Sequence, residues 1–263
     1  MVLDGVLDPA VSLDERNRLQ ALGFEQNLTA FLADCARRTS CLFHHEGHSR
    51  EAFDRLFQQI DRVSIPVGAR SVGPAEFTAA VFSQLYNSSR GWPRLEKLLN
   101  EAEHGNGSPA LARYDAYVDR HPDGTYDNTN EANLAVNCSD LAASNDPKHL
   151  EDEAATLAQQ APTFGPAAVW YMAPCTFWPV APTPVPVGPA HGAPTILLVG
   201  NTSDPATPYV WAQQVAARLA DSVLLTYNHT GHTAYNGGST CIRTRVDSYL
   251  LAQQAPPPGT VCN

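Results

Sequence analysis

Long apolar runs are missing from this chain of 263 residues. No stretch approaches the roughly 20 consecutive apolar residues that a helix needs to cross a bilayer, so we expect no membrane span. Basic residues are also scarce, with 17 Lys and Arg against 27 Asp and Glu and a formal net charge of −10. Since nucleic acids and anionic membranes repel an acidic surface, we expect neither as a partner. Apolar residues make up 43% of the sequence, which is ample for a hydrophobic core.

Cysteine is uncommon but even in number, and none of the six falls in a Cys-x-x-Cys pair. This pattern favours disulfides over zinc, and therefore an oxidising compartment. The first residues have neither a basic segment nor a long apolar one, so they do not form a signal peptide. An exported chain without its export signal is a contradiction. We therefore expect that the true beginning of the precursor lies upstream of Met1, or that Met1 is a mis-assigned start.

Most of the chain up to about residue 170 has a helical pattern. Residues 1–6 predict a short buried strand, which Asp8-Pro9 ends, and Ser12 is the predicted N-cap of a helix that reaches about Arg38. Four apolar residues recur on one face of that helix, namely Phe24, Leu28, Phe31 and Cys35. Further helices are predicted over residues 74–87, 92–104, 109–118 and 147–160. No strand alternation is evident between residues 10 and 170, and residues 123–130 predict a loop.

The C-terminal third has a different pattern. Prolines make residues 174–194 an extended linker, and six of them are Pro179, Pro182, Pro184, Pro186, Pro189 and Pro194. Apolar runs at residues 195–200 and 223–227 follow as predicted strands, with a helix between them that Thr207 caps and Pro208 begins. Cys241 opens a last helix, which three prolines end. This alternation of strands and helices indicates an α/β fold.

An acid and a histidine follow the two predicted strands. Asp204 comes directly after the first strand, and His232 follows the second in Gly231-His232-Thr233. In α/β-hydrolases the acid and base of the catalytic triad follow successive strands in this order, after the nucleophile. We expect Asp204 to orient the imidazole of His232, which would act as general base and then general acid.

Each of these residues also has a structural alternative. Asp204 could form an Asx turn or lie at a helix start, which is common after strands. His229 competes with His232 as the base, but it lacks the preceding glycine and is expected at the surface.

The nucleophile of such a triad is absent from the sequence. It should lie earlier, on a Gly-x-Ser-x-Gly turn between a strand and a helix, and no such turn exists here. The nearest imitation is Ala69-Arg70-Ser71-Val72-Gly73, which falls inside the helical region and does not follow a clean buried strand. We therefore do not expect Ser71 to be a nucleophile.

A cluster of histidines and a glutamate near the first two cysteines resembles a metal-binding motif but does not match one. His45-Glu46-Gly47-His48 is one residue short of the zincin motif His-Glu-x-x-His, so its histidines would not share a helical face as required. The cysteines nearby lack regular zinc spacing. We expect no metal and no other cofactor, and a local disulfide between Cys35 and Cys41 with solvated histidines.

The motifs resemble those of secreted tripeptidyl-aminopeptidase-like α/β-hydrolases, a group related to proline iminopeptidases. The similarity is strong over residues 196–208 (ILLVGNTSDPATP), 231–235 (GHTAY) and the closing Cys241 to Cys262 segment. Residues 2–6 (VLDGV) look like the strand that follows the nucleophile helix in that family. Residues 137–140 (NCSD) and 175–179 (CTFWP) look like elements of its lid, where the resemblance is weaker.

The resemblance implies the C-terminal part of an α/β-hydrolase fold, with its last three strands and a large, mostly helical lid. Residues 1–9 would be a remnant core strand, 10–190 the lid with its proline-rich exit linker, and 191–263 the C-terminal core. Asp204 and His232 carry over as acid and base, whereas the serine and the oxyanion-hole loop have no counterpart. The implied disulfides are Cys35–Cys41, Cys138–Cys175 and Cys241–Cys262, one of 15 possible connectivities.

By this resemblance the leading hypothesis is a portion of a secreted or cell-envelope serine exopeptidase, whose missing N-terminal half carries the nucleophile. A peptide or a small ester would be the substrate, since both pass through the same acyl-enzyme, and an esterase or lipase is therefore the related alternative. A different alternative is a degenerate remnant that binds peptides or a partner. We expect the isolated chain to lack peptidase activity and to aggregate through its unpaired strand edge. Genomic sequence upstream of Met1 distinguishes these cases.

Several residues of the lid could contact a substrate. Four aromatic residues could line an apolar pocket, although packing within the lid is the default expectation for Trp170, Tyr171, Phe177 and Trp178. Glu131 or Asp140 could bind a free amino terminus, and the alternative for each is a solvated surface carboxylate.

Overall fold

The computed structural model describes residues 1–183 and 185–263. The strands are β1 (Val2–Asp4), β2 (Ile65–Val67), β3 (Arg70–Val72), β4 (Ile196–Ser203), β5 (Ser222–Thr230) and β6 (Val261–Cys262). The helices up to the linker are α1 (Leu13–Arg37), α2 (Ser49–Arg62), α3 (Pro74–Gln84), α4 (Ser88–Glu103), α5 (Ser108–Tyr117), α6 (Thr129–Asp140), α7 (Pro147–Gln160) and α8 (Gly165–Tyr171). The helices after the linker are α9 (Tyr209–Arg218) and α10 (Thr240–Ala252).

A parallel sheet forms the core of the α/β part, with the strand order β1-β4-β5-β6. Residues 196–201 of β4 are buried because neighbouring strands flank the strand and helices cover the sheet. This burial is why residues 196–199 are all apolar. Val199 pairs with Asp4 on one side and with Leu225 on the other. The carboxyl ends of β1, β4 and β5 therefore meet at one edge of the sheet.

The predicted α/β-hydrolase architecture is confirmed, with changes at its margins. The described part of the chain places four strands in this sheet where three were expected, because Val261 pairs with Thr226 and adds the short β6. The strand predicted over residues 1–6 covers only Val2–Asp4 and is half-buried, not buried. It ends where Gly5 takes a φ of +72°.

Helix α1 is the centre of the largest hydrophobic cluster. Its predicted apolar face is confirmed, because the structure buries Phe24, Leu28, Phe31 and Cys35. Ser12 caps the helix as predicted and accepts a hydrogen bond from the backbone N–H of Glu15. The face shares its cluster with buried residues of α2, α3 and α4, so the helical region has a core of its own.

Several boundaries in the helical region differ from the prediction. The helix expected over residues 74–87 ends at Gln84, and α4 begins at Ser88, before the predicted Trp92. The break has a physical cause: the side chain of Asn87 caps α4 by accepting from Arg90 N–H, while its backbone bridges to Gly231. Helix α7 matches its prediction because Asp146-Pro147 is a clear cap and first turn.

Three helices and a hairpin were not predicted. Helix α2 does carry a helical signal, since Phe53, Leu56 and Ile60 are buried along one face. Helices α6 and α8 bury few residues and give weak patterns. Strands β2 and β3 form an antiparallel hairpin in which Ser71 is exposed. Its segment is therefore not the strand–helix elbow that a nucleophile needs.

The linker predicted over residues 174–194 begins later than expected, because a short 3-10 helix covers Ala173–Phe177. Residues 178–183 and 185–195 have no helix or strand, as the prolines predict. Pro184 lies outside the described residues. The structure contains the three disulfides that the resemblance implied, namely Cys35–Cys41, Cys138–Cys175 and Cys241–Cys262. Among the described residues, no helix is both long enough and apolar enough to cross a bilayer.

Candidate active site

The carboxylate of Asp204 is held just past the end of β4 and is 4% exposed. Its Oδ1 accepts hydrogen bonds from the backbone N–H groups of Ala206, at 2.9 Å, and Thr207, at 2.8 Å. These are the contacts of the Asx turn that the sequence offered as the alternative to a catalytic role. The turn leaves Oδ2 facing the end of β5. Asp204 can therefore form the Asx turn and also orient a histidine there.

The imidazole of His232 meets this carboxylate just past the end of β5. Its Nδ1 lies 3.0 Å from Oδ2 of Asp204 and 3.1 Å from Oδ1. The hydrogen bond assigns the proton to Nδ1 and leaves the lone pair on Nε2. No described residue hydrogen-bonds to Nε2, and the side chain is 27% exposed. The pair therefore presents an oriented base to an open position, which is the chemistry needed to take a proton from a hydroxyl.

The loop around His232 has an unusual backbone. Gly231 has a φ of +142°, and a Cβ built on it would lie 3.0 Å from the carbonyl oxygen of Tyr86. That carbonyl accepts the backbone N–H of His232 at 2.8 Å. Thr233 follows in the left-handed region at φ +60°. The glycine before the histidine is thus required by both conformation and space.

Asn201 ties the same loop to β4. It is 1% exposed, and its side-chain amide donates to the carbonyls of Gly231, at 2.6 Å, and Thr233, at 3.0 Å. Because both carbonyls flank His232, this one side chain fixes the loop on either side of the imidazole.

Thr207 contacts the imidazole, which the sequence did not predict. The prediction made it the cap of the helix after β4, but α9 begins at Tyr209 and Pro208 occupies the cap position. The Thr207 hydroxyl instead lies 3.2 Å from Nδ1 of His232. Since the backbone N–H of Thr207 also donates to Asp204, this residue touches both members of the pair.

Two residues at the end of β1 also support the site and were not predicted. The carboxylate of Asp4 accepts the backbone N–H groups of Ala234, at 2.9 Å, and Tyr235, at 2.9 Å. Burial raises the pKa of Asp4, against the lowering effect of these hydrogen bonds. A Cβ on Gly5 would lie 2.9 Å from Cε1 of His232. In the sequence, the one signal for a role of Asp4 and Gly5 at this site is their position at the end of a predicted strand.

One tyrosine from the helical region contacts the imidazole. The ring of Tyr86 contacts that of His232 edge-on, with centroids 5.7 Å apart. Burial raises the pKa of Tyr86, and it raises the pKa of the neighbouring Tyr117 to about 12. Both phenols are therefore neutral hydroxyl groups at physiological pH.

The lid residues singled out from the sequence lie elsewhere on the surface. Trp170, Tyr171 and Phe177 are 51%, 44% and 68% exposed, so they do not form a closed apolar pocket. Trp178 packs against the small cluster around Cys138. Glu131 is exposed on α6 and Asp140 is half-buried at its end.

The remaining histidines have other environments. His229 lies within β5, half-buried and stacked on Tyr227 with ring centroids 4.7 Å apart, and burial lowers its pKa. The sequence predicted that His229 lies at the surface, whereas its side chain is half-buried because β5 continues through this residue. His45 pairs with Glu103 and His48 with Glu51, so these two do not converge on one metal position.

Among the described residues, one other group of side chains has ligand atoms close enough together for a cation. Asp14, His149 and Glu153 have ligand atoms within 4.8 Å of one another, between α1 and α7. Nε2 of His149 lies within hydrogen-bond distance of Oδ2 of Asp14, at 2.8 Å. The group shares no residue with the Asp204–His232 site.

Comparison with known proteins identifies relatives of the whole chain. A profile of the family described as TAP-like protein matches residues 161–262. The chain is 31% identical over 274 residues to a protein named serine protease Hip1 of Mycobacterium tuberculosis H37Rv, covering 100% of this chain and 52% of that protein. It is 33% identical over 273 residues to a carboxylesterase B of the same strain, covering 100% and 51%.

A third relative is more distant. A tripeptidyl aminopeptidase of Streptomyces lividans is 28% identical over 194 residues, covering 73% of this chain and 36% of that protein. The chain thus spans about half the length of the first curated relatives it matches.

Proposed function

Because residues 161–262 belong to the TAP-like family of α/β-hydrolases, we propose that this chain supplies the acid and the base of a serine hydrolase. Asp204 is the acid and His232 the base. The observation that carries the proposal is the hydrogen bond of 3.0 Å between Nδ1 of His232 and Oδ2 of a buried Asp204, at the carboxyl ends of adjacent parallel strands. This geometry fixes the imidazole tautomer that a serine needs as its base.

The nucleophile of the proposed enzyme is a serine outside the sequence described here. Two observations favour this arrangement. Nε2 of His232 has no hydrogen-bond partner among the described residues, and β1 is an edge strand whose second side is unpaired within them. A preceding strand added at that edge would bring its carboxyl end beside Gly5, next to Cε1 of His232. An enzyme assembled in this way would consist of a sheet core at 1–9 and 191–263 and a helical lid at 10–190.

The proposed reaction is hydrolysis of peptide bonds near an amino terminus. The resemblance to a tripeptidyl aminopeptidase and to a serine protease supports this substrate class. His232 would take the serine proton through Nε2 as the acyl bond forms, while Asp204 stabilises the imidazolium. The same proton would then pass to the leaving amine. An ester substrate is the second candidate, since one relative of similar identity is named a carboxylesterase.

An extracellular location is part of the proposal. All six cysteines are paired in three disulfides, and such bonds persist in oxidising compartments.

The decisive experiment uses the longest open reading frame that contains this chain. The encoded polypeptide should carry Gly-x-Ser-x-Gly and should hydrolyse tripeptidyl or aminoacyl nitroanilides, which are amides, well above background, whereas an esterase should hydrolyse only nitrophenyl esters. Asp204→Asn should lower kcat by about 10⁴-fold, as loss of the correct tautomer does in other triads. The isolated chain should hydrolyse neither substrate above background, because it has neither nucleophile nor oxyanion hole.

Two results would reject the proposal. Full activity in a His232→Ala variant would show that the base lies elsewhere. A reading frame with no serine turn would favour the other alternative, a remnant that binds peptides without hydrolysing them.

A further inference from the structure

A polar pocket outside the candidate active site lies between α3, α4 and α5 and has a volume of about 350 Å³. Three arginines line it, with Arg90 and Arg94 one turn apart on α4 and Arg113 on α5. Among the described residues, no aspartate or glutamate lines this pocket. That is unusual in a chain with 27 acidic residues and a formal net charge of −10.

No carboxylate among the described residues forms an ion pair with any of the three guanidinium groups. Within residues 1–183 and 185–263, none of them forms an ion pair, in contrast to Arg18, Arg38, Arg50, Arg70 and Arg218. Arg90 and Arg94 lie four residues apart on one helical face, a spacing at which like charges repel each other. Because no carboxylate balances the positive charge of the three arginines, the pocket favours the binding of an anion.

The close approach of two helices shapes the wall of the pocket. Gly91 packs against the end of α3, and a Cβ at this position would lie 1.9 Å from the carbonyl oxygen of Gln84. Any other residue would push α4 away from α3. The neutral side chains of Ser83 and Asn87 line the pocket between the arginines and this contact.

The pocket lies beside the candidate active site. Asn87 lines it and also forms a backbone bridge with Gly231, which precedes the proposed base. Tyr117 lines it from α5 and lies next to Tyr86, whose ring contacts His232. A peptide bound at His232 therefore lies next to the wall that the two sites share.

We propose that this arginine pocket binds the side-chain carboxylate of an acidic residue in the peptide substrate. The inference rests on the proposed peptide-hydrolase function, which it deepens by assigning a substrate preference. A planar guanidinium group can donate two parallel hydrogen bonds to one carboxylate. A pocket volume of about 350 Å³ is large enough for an acidic side chain. Arg94 and Arg113 reach it from two different helices, so the pocket selects the anion by position as well as by charge.

Peptide binding tests the proposal, and it is measured on the polypeptide encoded by the longest open reading frame that contains this chain, with the serine of any Gly-x-Ser-x-Gly turn replaced by alanine to prevent turnover. Isothermal titration calorimetry compares the peptides Ala-Glu-Ala and Ala-Gln-Ala, which differ in charge and hardly in shape. We expect the Glu peptide to bind about tenfold more tightly, which is about 1.4 kcal/mol. Since the pocket is open to solvent, raising the salt concentration to about 0.5 M should remove most of this preference.

Substitutions assign the preference to the pocket. The variants Arg94→Gln and Arg113→Gln should each reduce it to threefold or less, and the double variant should abolish it. Arg62→Gln removes the same charge from the exposed end of α2, where Arg62 has no ion-pair partner among the described residues, and it should leave the preference unchanged. The melting temperature of each variant checks that it folds like the parent.

Three results would overturn the proposal: equal binding of the two peptides, no binding of either, or a preference that survives the double variant. Inorganic phosphate is a further probe, and binding of phosphate by the arginines without any preference for the Glu peptide would also overturn it. Binding needs no turnover. A Glu preference without hydrolysis in the longer polypeptide would reject only the proposed function, whereas hydrolysis without the preference would reject only this inference.

Discussion

The carbonyl oxygen of Tyr86 accepts the backbone N–H of His232 at 2.8 Å. Tyr86 lies between α3 and α4, in the helical region, whereas His232 follows a strand of the sheet. The position of the proposed base is therefore set from both sides, by Asp204 on the sheet and by the helical region above it. A lid that moved as a rigid body away from the sheet would break this hydrogen bond.

Replacement of Gly231 by alanine tests how tightly this contact constrains the loop. The new Cβ would lie 3.0 Å from the carbonyl oxygen of Tyr86, at a φ of +142° that favours glycine. We expect kcat/KM of the serine-bearing polypeptide to fall by about 10²-fold, because small displacements of a catalytic group have effects of this size. Gly188→Ala is the control, since nothing lies within 4 Å of its Cβ position, and it should be neutral. Unchanged kinetics in Gly231→Ala would contradict the constraint.

The hydroxyl of Thr207 provides a second test of the site. Thr207→Val keeps the shape of the side chain but removes the oxygen that lies 3.2 Å from Nδ1 of His232. We expect kcat to fall by about tenfold, the equivalent of roughly one hydrogen bond, with KM nearly unchanged. Thr207→Ser restores the hydroxyl and should recover most of the rate. If serine fails to rescue activity, the residue acts through packing and not as a positioning residue.

The ion pair between Asp8 and Arg218 predicts a dependence of stability on pH. Asp8 is 2% exposed and lies 2.9 Å from Nη2 of Arg218. Burial by itself would raise the pKa of Asp8, but hydrogen bonds from Arg218 and Ala10 and the charge of Arg218 outweigh it and lower the pKa below its ordinary value. A lowered folded-state pKa means that the pair stabilises the protein above the unfolded-state pKa of about 3.9. This contribution is lost as the pH falls through the folded-state pKa.

Removal of the arginine should reveal this contribution. We expect Arg218→Met to lower the free energy of unfolding at pH 7 by about 3 kcal/mol, because it leaves a buried carboxylate without its partner. The loss should shrink below pH 4, where Asp8 becomes protonated. The double variant Asp8→Asn, Arg218→Met should recover much of the stability at pH 7. Urea unfolding at several pH values measures all three, and a loss that did not depend on pH would contradict the assignment.

The disulfides should stabilise the fold in the order of the loops that they close. Cys138–Cys175 spans 37 residues of sequence and Cys35–Cys41 spans 6. The chain-entropy relation predicts a loss of about 4 kcal/mol on replacing the first pair by alanine and about 2 kcal/mol for the second. Urea unfolding of the two double variants checks the order. Both differences should disappear when the parent and the variants are compared under fully reducing conditions.

Sequence reasoning worked where the determinants are local. The cap of α7 at Asp146-Pro147 and the apolar face of α1 are short-range patterns, and the structure reproduces both. The closeness of Asp204 and His232 was predictable because parallel neighbouring strands bring their carboxyl ends to one edge. The pairing of the six cysteines came from family resemblance, since spacing alone left every connectivity open.

Sequence reasoning failed where a residue acts through a distant partner. Thr207 was assigned to a helix cap because threonine before proline is common there, and nothing local indicated the imidazole beside it. Asp4 and Tyr86 carry no motif, yet both hold the loop of His232 by hydrogen bonds to its backbone. The arginine pocket was likewise invisible, since its residues belong to two helices whose packing brings the charges together.

The order of residues by itself determined which groups can carry the chemistry, because a carboxylate and an imidazole placed after two consecutive buried strands must emerge at the same edge of a parallel sheet. Only the tertiary structure decided the orientation of the imidazole and the electrostatics around it. Those depend on atoms brought together from β1, α4, α5 and the loops after β4 and β5. Hydrogen bonds of about 3 Å require a precision of position that only the packed fold supplies.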